Sequence, residues 1–287
     1  MSMETSADIA GLRATLDRFR QKGARIGFVP TMGNLHAGHI SLIEQSVSRC
    51  DFTVASIFVN PLQFGAGEDF DTYPRTLADD QSKLVEAGCN LLFTPSTDQL
   101  YPRGLEAHTK VTVPEVTRHH CGAHRPGHFD GVSTIVNVLL NIVQPAVAFF
   151  GEKDFQQVAV IRKLVFDLQM PVEIVSGATR REDDGLAMSS RNQYLSAEDR
   201  PVAAELYRTL QHIASRIEDG EKNFLQLQTE GLENLSRKGF RTEYLNIVRA
   251  DTLDVASERD EDIVVLVAAR LGQTRLIDNI RIIRSHD

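Results

Sequence analysis

Five short runs in the first 180 residues, ARIGFVPT, DFTVASIFVN, CNLLFTPS, PAVAFFG and VEIVSGAT, are apolar along most of their length instead of alternating with polar residues. A strand that is hydrophobic on both sides has to be buried on both sides. Sheets of that kind are parallel and carry helices on each face. Helical patterns lie between the runs as this requires: HAGHISLIEQSVSRC, TLADDQSKLVEAG, GVSTIVNVLLNIVQ and FQQVAVIRKLVFDLQ. The chain reads as an α/β protein, in which ligands bind beyond the carboxyl ends of the strands.

The rhythm changes near residue 185. SAEDRPVAAELYRTLQHIASRIEDG reads as a helix opened by Ser196, with Asp199 three residues on, and NFLQLQTEGLENLSRKG as a second helix. TEYLNIVRA, DIVVLVAARLG and TRLIDNIRII read as strands of a smaller antiparallel sheet. We expect a Rossmann-like domain over residues 1–184 and an α+β domain over residues 185–287, joined near REDDGLAMSSRNQYL. The 287 residues suffice for both cores. No apolar run approaches the about 20 residues of a membrane span. The N-terminal MSMETSADIAGLRATLDRFRQKG is polar and lacks an apolar signal core. Cys50, Cys89 and Cys121 are too few and too scattered for a disulfide framework. A cytoplasmic protein is expected, and a net charge of −8 argues against nucleic acid as a partner.

The run RIGFV feeds through Pro30, Thr31 and Gly33 into a helix starting near His36. A helix N-terminus presents unpaired N–H groups and a partial positive charge, which favour phosphate. His36 and His39 lie on one face of that first turn, and Gly38, without a Cβ, lets a ligand approach the backbone. Two imidazoles there can donate hydrogen bonds to phosphoryl oxygens as charge builds. The same residues also suit a plain surface cap. Zinc is the weaker alternative, since two histidines need further ligands.

HAGH after a strand resembles the HIGH motif of the nucleotidylyltransferases and class I aminoacyl-tRNA synthetases, and MSSRN resembles their KMSKS-type element, with Arg191 as its cation. FVPTMGNLHAGHISL, SIFVNPLQFGAGEDFDTYPRT, RPGHFDGVSTIVNVLLNIVQP, FFGEKDFQQVAVIRKLV and DGLAMSSRNQYL together closely resemble the pantoate–β-alanine ligase family within that superfamily, most densely over residues 26–195.

The resemblance implies an ATP-dependent condensation of pantoate with β-alanine through a pantoyl-adenylate, releasing pyrophosphate and AMP. A carboxylate is already nucleophilic at neutral pH, so the first step needs alignment and charge stabilisation more than a base. The resemblance assigns ATP to Met32, Gly33, Asn34, Leu35, His36, Ala37, Gly38 and His39, to Gly151, Glu152, Lys153 and Asp154, and to Arg180, Met188, Ser189, Ser190 and Arg191. Among these His36, His39, Lys153 and Arg191 would carry the catalysis. Alone, the GEKD stretch reads more readily as a plain turn with solvated charges. Gln63 and Gln157 are implied to bind pantoate, a primary amide being able to donate and accept at once, with Asn60 in support. Phe58, Val132, Ile135 and Val136 read either as core or as an apolar wall for pantoate's methyls.

Asp79 and Asp80 are matched to an acidic pair associated with Mg²⁺, although acids in a first helical turn also suit the helix dipole. The resemblance further implies a homodimer. The linker between the domains is placed to let the C-terminal domain close as a lid, which would shield the adenylate from water. Two readings compete: another HIGH-type adenylyltransferase, such as one forming a dinucleotide, and a non-catalytic metal- or RNA-binding module. The second would use TRHHCGAHRPGHFDG, where His119, His120, Cys121, His124 and His128 crowd together at a spacing that fits no common zinc finger.

Overall fold

A computed structural model of the chain describes residues 3–284. Its elements in order are β1 (Glu4–Ser6), α1 (Ile9–Arg20), β2 (Ile26–Thr31), α2 (Ala37–Arg49), β3 (Phe52–Ile57), α3 (Leu77–Glu86), β4 (Leu91–Phe93), α4 (Thr97–Leu100), α5 (Cys121–His124), α6 (His128–Val143), β5 (Val147–Gly151), α7 (Phe155–Asp167), β6 (Glu173–Gly177), α8 (Asp199–Ala203), α9 (Glu205–Glu218), α10 (Phe224–Arg237), β7 (Arg241–Arg249), β8 (Asp262–Leu271) and β9 (Thr274–Ile283).

All five apolar runs are strands of one parallel sheet ordered β1-β4-β3-β2-β5-β6. β3 is buried over every residue but its last, as a strand covered on both faces must be. Val29, Ala55, Leu92, Val147 and Phe149 from four strands pack with Leu42 and Ile43 of α2 and Leu84 of α3.

The sixth strand comes from the N-terminal stretch read above only for its polarity. β1 is a three-residue polar edge, and α1 follows, with the Asp8 side chain accepting the Gly11 N–H at 2.7 Å. α1 docks through arginines. Arg13 donates to Asn141 O (3.3 Å) and Ile142 O (3.5 Å), and Arg20 to Val143 O and Gln144 O, satisfying carbonyls that the end of α6 leaves without helical partners.

The C-terminal strands form the expected antiparallel sheet, β7-β8-β9. Ser196 accepts the Asp199 N–H at 3.0 Å, and the single helix expected after it is divided at Ala204 into α8 and α9. Leu206, Leu210, Ile213 and Leu227 of α9 and α10 pack on Leu245, Val265, Val267 and Leu276, which share one face of this sheet.

The chain divides into two compact units that do not follow its order simply. Unit 1 runs through Pro114 and includes Arg125–Glu152 and Val160–Ala178. Unit 2 holds the chain from Thr179 together with two short segments, Glu115–His124 and Lys153–Ala159.

Candidate active site

In unit 1, β2 and β5 are neighbours, with Gly27 opposite Val147 and Phe28 opposite Ala148. The sheet grows away from β2 through β3 and away from β5 through β6, which makes this pair the topological switch point. β2 ends at Thr31 and β5 at Gly151, so HAGH and GEKD both follow the carboxyl ends of the two strands flanking it.

α2 starts at Ala37, and His36 is its N-cap. The two imidazoles cap the helix reciprocally. Gly38 N–H donates to His36 Nδ1 (3.1 Å), His36 N–H donates to His39 Nδ1 (3.3 Å), and the ring centroids lie 4.1 Å apart. Each Nδ1 is an acceptor, so in each neutral ring the proton sits on Nε2. The pair thus holds two N–H donors at a helix N-terminus, with their tautomers set by the backbone.

The Gly33–Asn34 bend before them uses left-handed backbone at both residues, φ 83° and 50°. A fully buried carboxylate holds it. Asp80 accepts the N–H groups of Asn34 (2.9 Å) and Leu35 (2.7 Å) and the Thr76 hydroxyl (3.2 Å), while Lys83 donates to Leu35 O (2.9 Å). Asp79 points elsewhere: its side chain is 77% exposed and lies 3.6 Å from Lys83. The two carboxylates do not fit one Mg²⁺ site. Asp80 is committed to backbone donors inside the protein, and Asp79 stands in solvent. Among the described residues no group of three or more His, Cys, Asp or Glu side chains is arranged to hold a metal ion.

Gln63 ends a 3-10 turn, Pro61–Gln63, that packs on α6 so closely that a Cβ on Gly131 would collide with Leu62 O. Its amide is oriented from both ends: Asn60 Nδ2 donates to Oε1 (3.1 Å), and Nε2 contacts Met32 Sδ (3.2 Å). Asn60 is itself fixed by Gly131 O (3.1 Å) and by the hydroxyl of buried Tyr101 (2.7 Å), which burial keeps protonated. Asn60 and Gln63 are therefore brought together, and Met32, read above as an ATP residue, meets the same amide. Phe58, Val132, Ile135 and Val136 are all buried in the same unit.

A second set of contacts had no sequence signal beyond RPGHF. His128 Nδ1 donates to Gln63 O (2.8 Å), its Nε2 accepts from Arg125 (2.9 Å), and Arg125 forks onto Glu68 (2.6 and 2.5 Å). Burial alone would raise the Glu68 carboxyl, but the Arg125 guanidinium holds it down at about 2.

In unit 2, Lys153 lies in the 3-10 turn Glu152–Asp154, with its ammonium 3.8 Å from Asp154 Oδ1. Gln157 is half-buried on the first turn of α7. Gln156 beside it, which nothing in the sequence singles out, is buried and accepts the Cys121 N–H (2.9 Å) while donating to Val116 O and His119 O (2.9 and 2.8 Å). Met188 N–H donates to Arg180 O (2.9 Å), so a tight turn sets exposed Arg180 opposite the start of MSSRN. Ser189 then caps the 3-10 turn Ser190–Tyr194 through the Arg191 N–H (3.2 Å).

The histidine-rich stretch is occupied by ordinary hydrogen bonds. His120 Nε2–H donates to Leu253 O (3.0 Å), its Nδ1 accepts from Asn246 (2.9 Å), and burial lowers its pKa, keeping it neutral. Cys121 Sγ meets the Tyr244 hydroxyl at 3.0 Å. His128 belongs to unit 1.

Known proteins resemble this chain in sequence and in fold. A family model described as pantoate-beta-alanine ligase matches residues 4–281. A pantothenate synthetase of Hahella chejuensis is 58% identical over 98% of this chain and 99% of its own, and one of Pseudomonas putida 56% identical over 97% of each. The solved pantothenate synthetase of Thermus thermophilus superposes with a TM-score of 0.91 at 46% identity, over 97% of this chain and 99% of its own. A pantoate-beta-alanine ligase of Francisella tularensis, solved in complex with beta-gamma ATP and beta-alanine, does so with 0.81 at 33% identity over 97% of each chain. Matched along nearly its whole length in both sequence and fold, the chain belongs to the pantoate–β-alanine ligase family.

Proposed function

We propose that the chain joins pantoate to β-alanine in two steps driven by ATP. In the first, a pantoate carboxylate oxygen attacks the α-phosphorus of ATP and pyrophosphate leaves, giving pantoyl-adenylate. In the second, the unprotonated amine of β-alanine attacks the acyl carbon and expels AMP. The amide nitrogen sheds its extra proton, and the product is pantothenate.

The observation that carries this reading is the pair of backbone-set imidazoles after β2. With both Nδ1 atoms accepting backbone N–H groups, His36 and His39 each carry the ring proton on Nε2 where α2 begins. Donors pre-oriented in this way need no reorganisation as charge grows on the phosphoryl oxygens. Lys153, after the neighbouring strand β5, supplies a cation to the phosphates, and Arg191 a second. Residues 32–39, Gly151, Glu152, Asp154, Arg180, Met188, Ser189 and Ser190 complete the nucleotide site. Gln63, held by Asn60, and Gln157 take the pantoate carboxylate and hydroxyls, and Phe58, Val132, Ile135 and Val136 take its methyls.

ATP is used as its Mg²⁺ complex, the metal arriving on the phosphate oxygens. The relative solved with beta-gamma ATP and beta-alanine supports the nucleotide and the second substrate. A cytoplasmic homodimer completes the reading, on the strength of the family resemblance; among the described residues no helix is long and apolar enough to cross a membrane.

The test is pyrophosphate release from MgATP with pantoate, with and without β-alanine. Pantoate-dependent release that becomes catalytic, with AMP and an amide product, once β-alanine is added is the expected result. Folded protein showing no pantoate-dependent release would overturn the substrate assignment.

A further inference from the structure

The three-stranded sheet of unit 2 is two-faced, and its register shows how. Leu245, Val267 and Leu276 belong to the face packed against helices. On the opposite face, Asn246, Leu266 and Asn279 lie in line across the three strands, with Tyr244 and Arg275 on the same side. This second face carries a row of polar side chains, and each grips one of the two short segments that belong to unit 2. Tyr244 and Arg275 meet Cys121 Sγ (3.0 and 3.4 Å), Asn246 holds His120, and Asn279 Nδ2 donates to the backbone carbonyl of Lys153 (2.9 Å).

Asp278, the residue before, points the other way. Its carboxylate takes Arg181 through two bonds (2.7 and 3.0 Å), with 1% of the side chain exposed. The Arg181 guanidinium also stacks 3.4 Å from the Tyr207 ring centroid and donates to Gly185 O (3.1 Å). Arg181 in turn bridges backbone-to-backbone with Ala187, inside the turn that sets Arg180 opposite Met188. A half-buried guanidinium that is both bidentate and stacked has little freedom.

We infer that Asp278 and Asn279 are positioning residues for adenylation: Asn279 fixes the backbone of Lys153, and Asp278, through Arg181, fixes the turn carrying Arg180 and Met188. One dipeptide of β9 thereby sets the two separated nucleotide-contacting stretches of unit 2. This rests on the reading of Lys153 as a phosphate cation.

A double-mutant cycle on the full chain separates the two ideas. Pantoate-dependent pyrophosphate release is measured in a single turnover for Lys153→Ala, Asn279→Ala and the double variant, with melting temperatures alongside. A small misplacement of a catalytic group is costly, so Asn279→Ala should slow release about tenfold or more. In the Lys153→Ala background the same change should slow it less than about twofold, because the group it positions is gone. Equal slowing in both backgrounds, or a lowered melting temperature with an unchanged rate, would make Asn279 merely structural and overturn the inference. A near-normal rate for Lys153→Ala would instead overturn the role of the lysine.

If Asn279→Ala does not fold, Asn279→Asp, isosteric but without the amide N–H, takes its place with the same expected outcomes. Arg181→Lys keeps the charge and loses the fork. It should also slow release, and an unchanged rate would remove Asp278 from the proposal.

Discussion

The HAGH turn of unit 1 and the lysine of unit 2 serve the same nucleotide reading but are held in opposite ways. His36 and His39 are fixed by backbone N–H groups two and three residues away, and the bend before them by one helix, α3. Lys153 has its backbone carbonyl held by Asn279, 126 residues later in the chain. A self-capped turn carries its geometry with it, down to the ring tautomers. A residue pinned by a distant strand has the right chemistry locally and acquires its position only when a sheet forms.

Five changes probe the unit 1 side of that contrast. His39→Ala is expected to act most strongly, lowering pantoate-dependent pyrophosphate release by about 10² to 10³-fold, the scale of losing one pre-oriented donor. The cap it also removes is worth only about 1 kcal/mol, so the melting temperature should fall by a few degrees at most. Turnover at the parent rate would reduce the histidine to a cap.

Asp80→Asn comes next. It turns an amide N–H toward backbone donors in a dry site, at a cost of about 1–3 kcal/mol, and should slow the reaction at every Mg²⁺ concentration without moving the Mg²⁺ midpoint. Asp79→Asn should stay within about 0.5 kcal/mol of the parent. If both variants shift the Mg²⁺ midpoint, the paired metal site is restored and α3 loses its scaffolding role.

For Gln63→Ala, the KM for pantoate should rise about tenfold, the equivalent of one well-made hydrogen bond, and that for ATP much less. Equal changes in both would count against the pocket.

The smallest effect is an acid one. The Glu68 carboxyl titrates at about 2 in the folded chain and near 4.3 in a free chain. Its pairing with Arg125 therefore stabilises fully above about pH 5 and fades as the pH falls toward 2. The stability gap between the parent and Glu68→Gln, measured by thermal melting, should be widest near neutrality and close in acid. A gap that does not narrow between pH 5 and pH 2 would mean that packing, not charge, holds Glu68.

Much of this protein was legible in one dimension. Burial on both faces shows in five continuous apolar runs, and these became β2 to β6 of a parallel sheet. The residues of α1 carried a cap at Asp8 and apolar side chains at Leu12 and Leu16, so that helix was readable too, though a polar three-residue edge strand beside it was not. Asp79 and Asp80 look alike as letters. Burial separated them, turning one into the support of the Gly33–Asn34 bend and leaving the other in water. The histidines near Cys121 look like ligands in sequence, and in the fold His120 is a neutral latch to Leu253 and Asn246.

Sequence alone determined what depends on a few consecutive residues: which segments are strands, where α2 begins, and which side chains have chemistry suited to phosphate. Those properties follow from local hydrogen bonding and from the periodicity of apolar side chains. Tertiary structure decided which groups support them. Asp80 reaches Asn34, Asn60 takes the Tyr101 hydroxyl, Gln156 binds the backbone of the 115–124 segment, and Asn279 takes the Lys153 carbonyl, each closing a loop of about 40 residues or more. Such pairings exist only in a particular strand register and helix packing, so no window of sequence contains them.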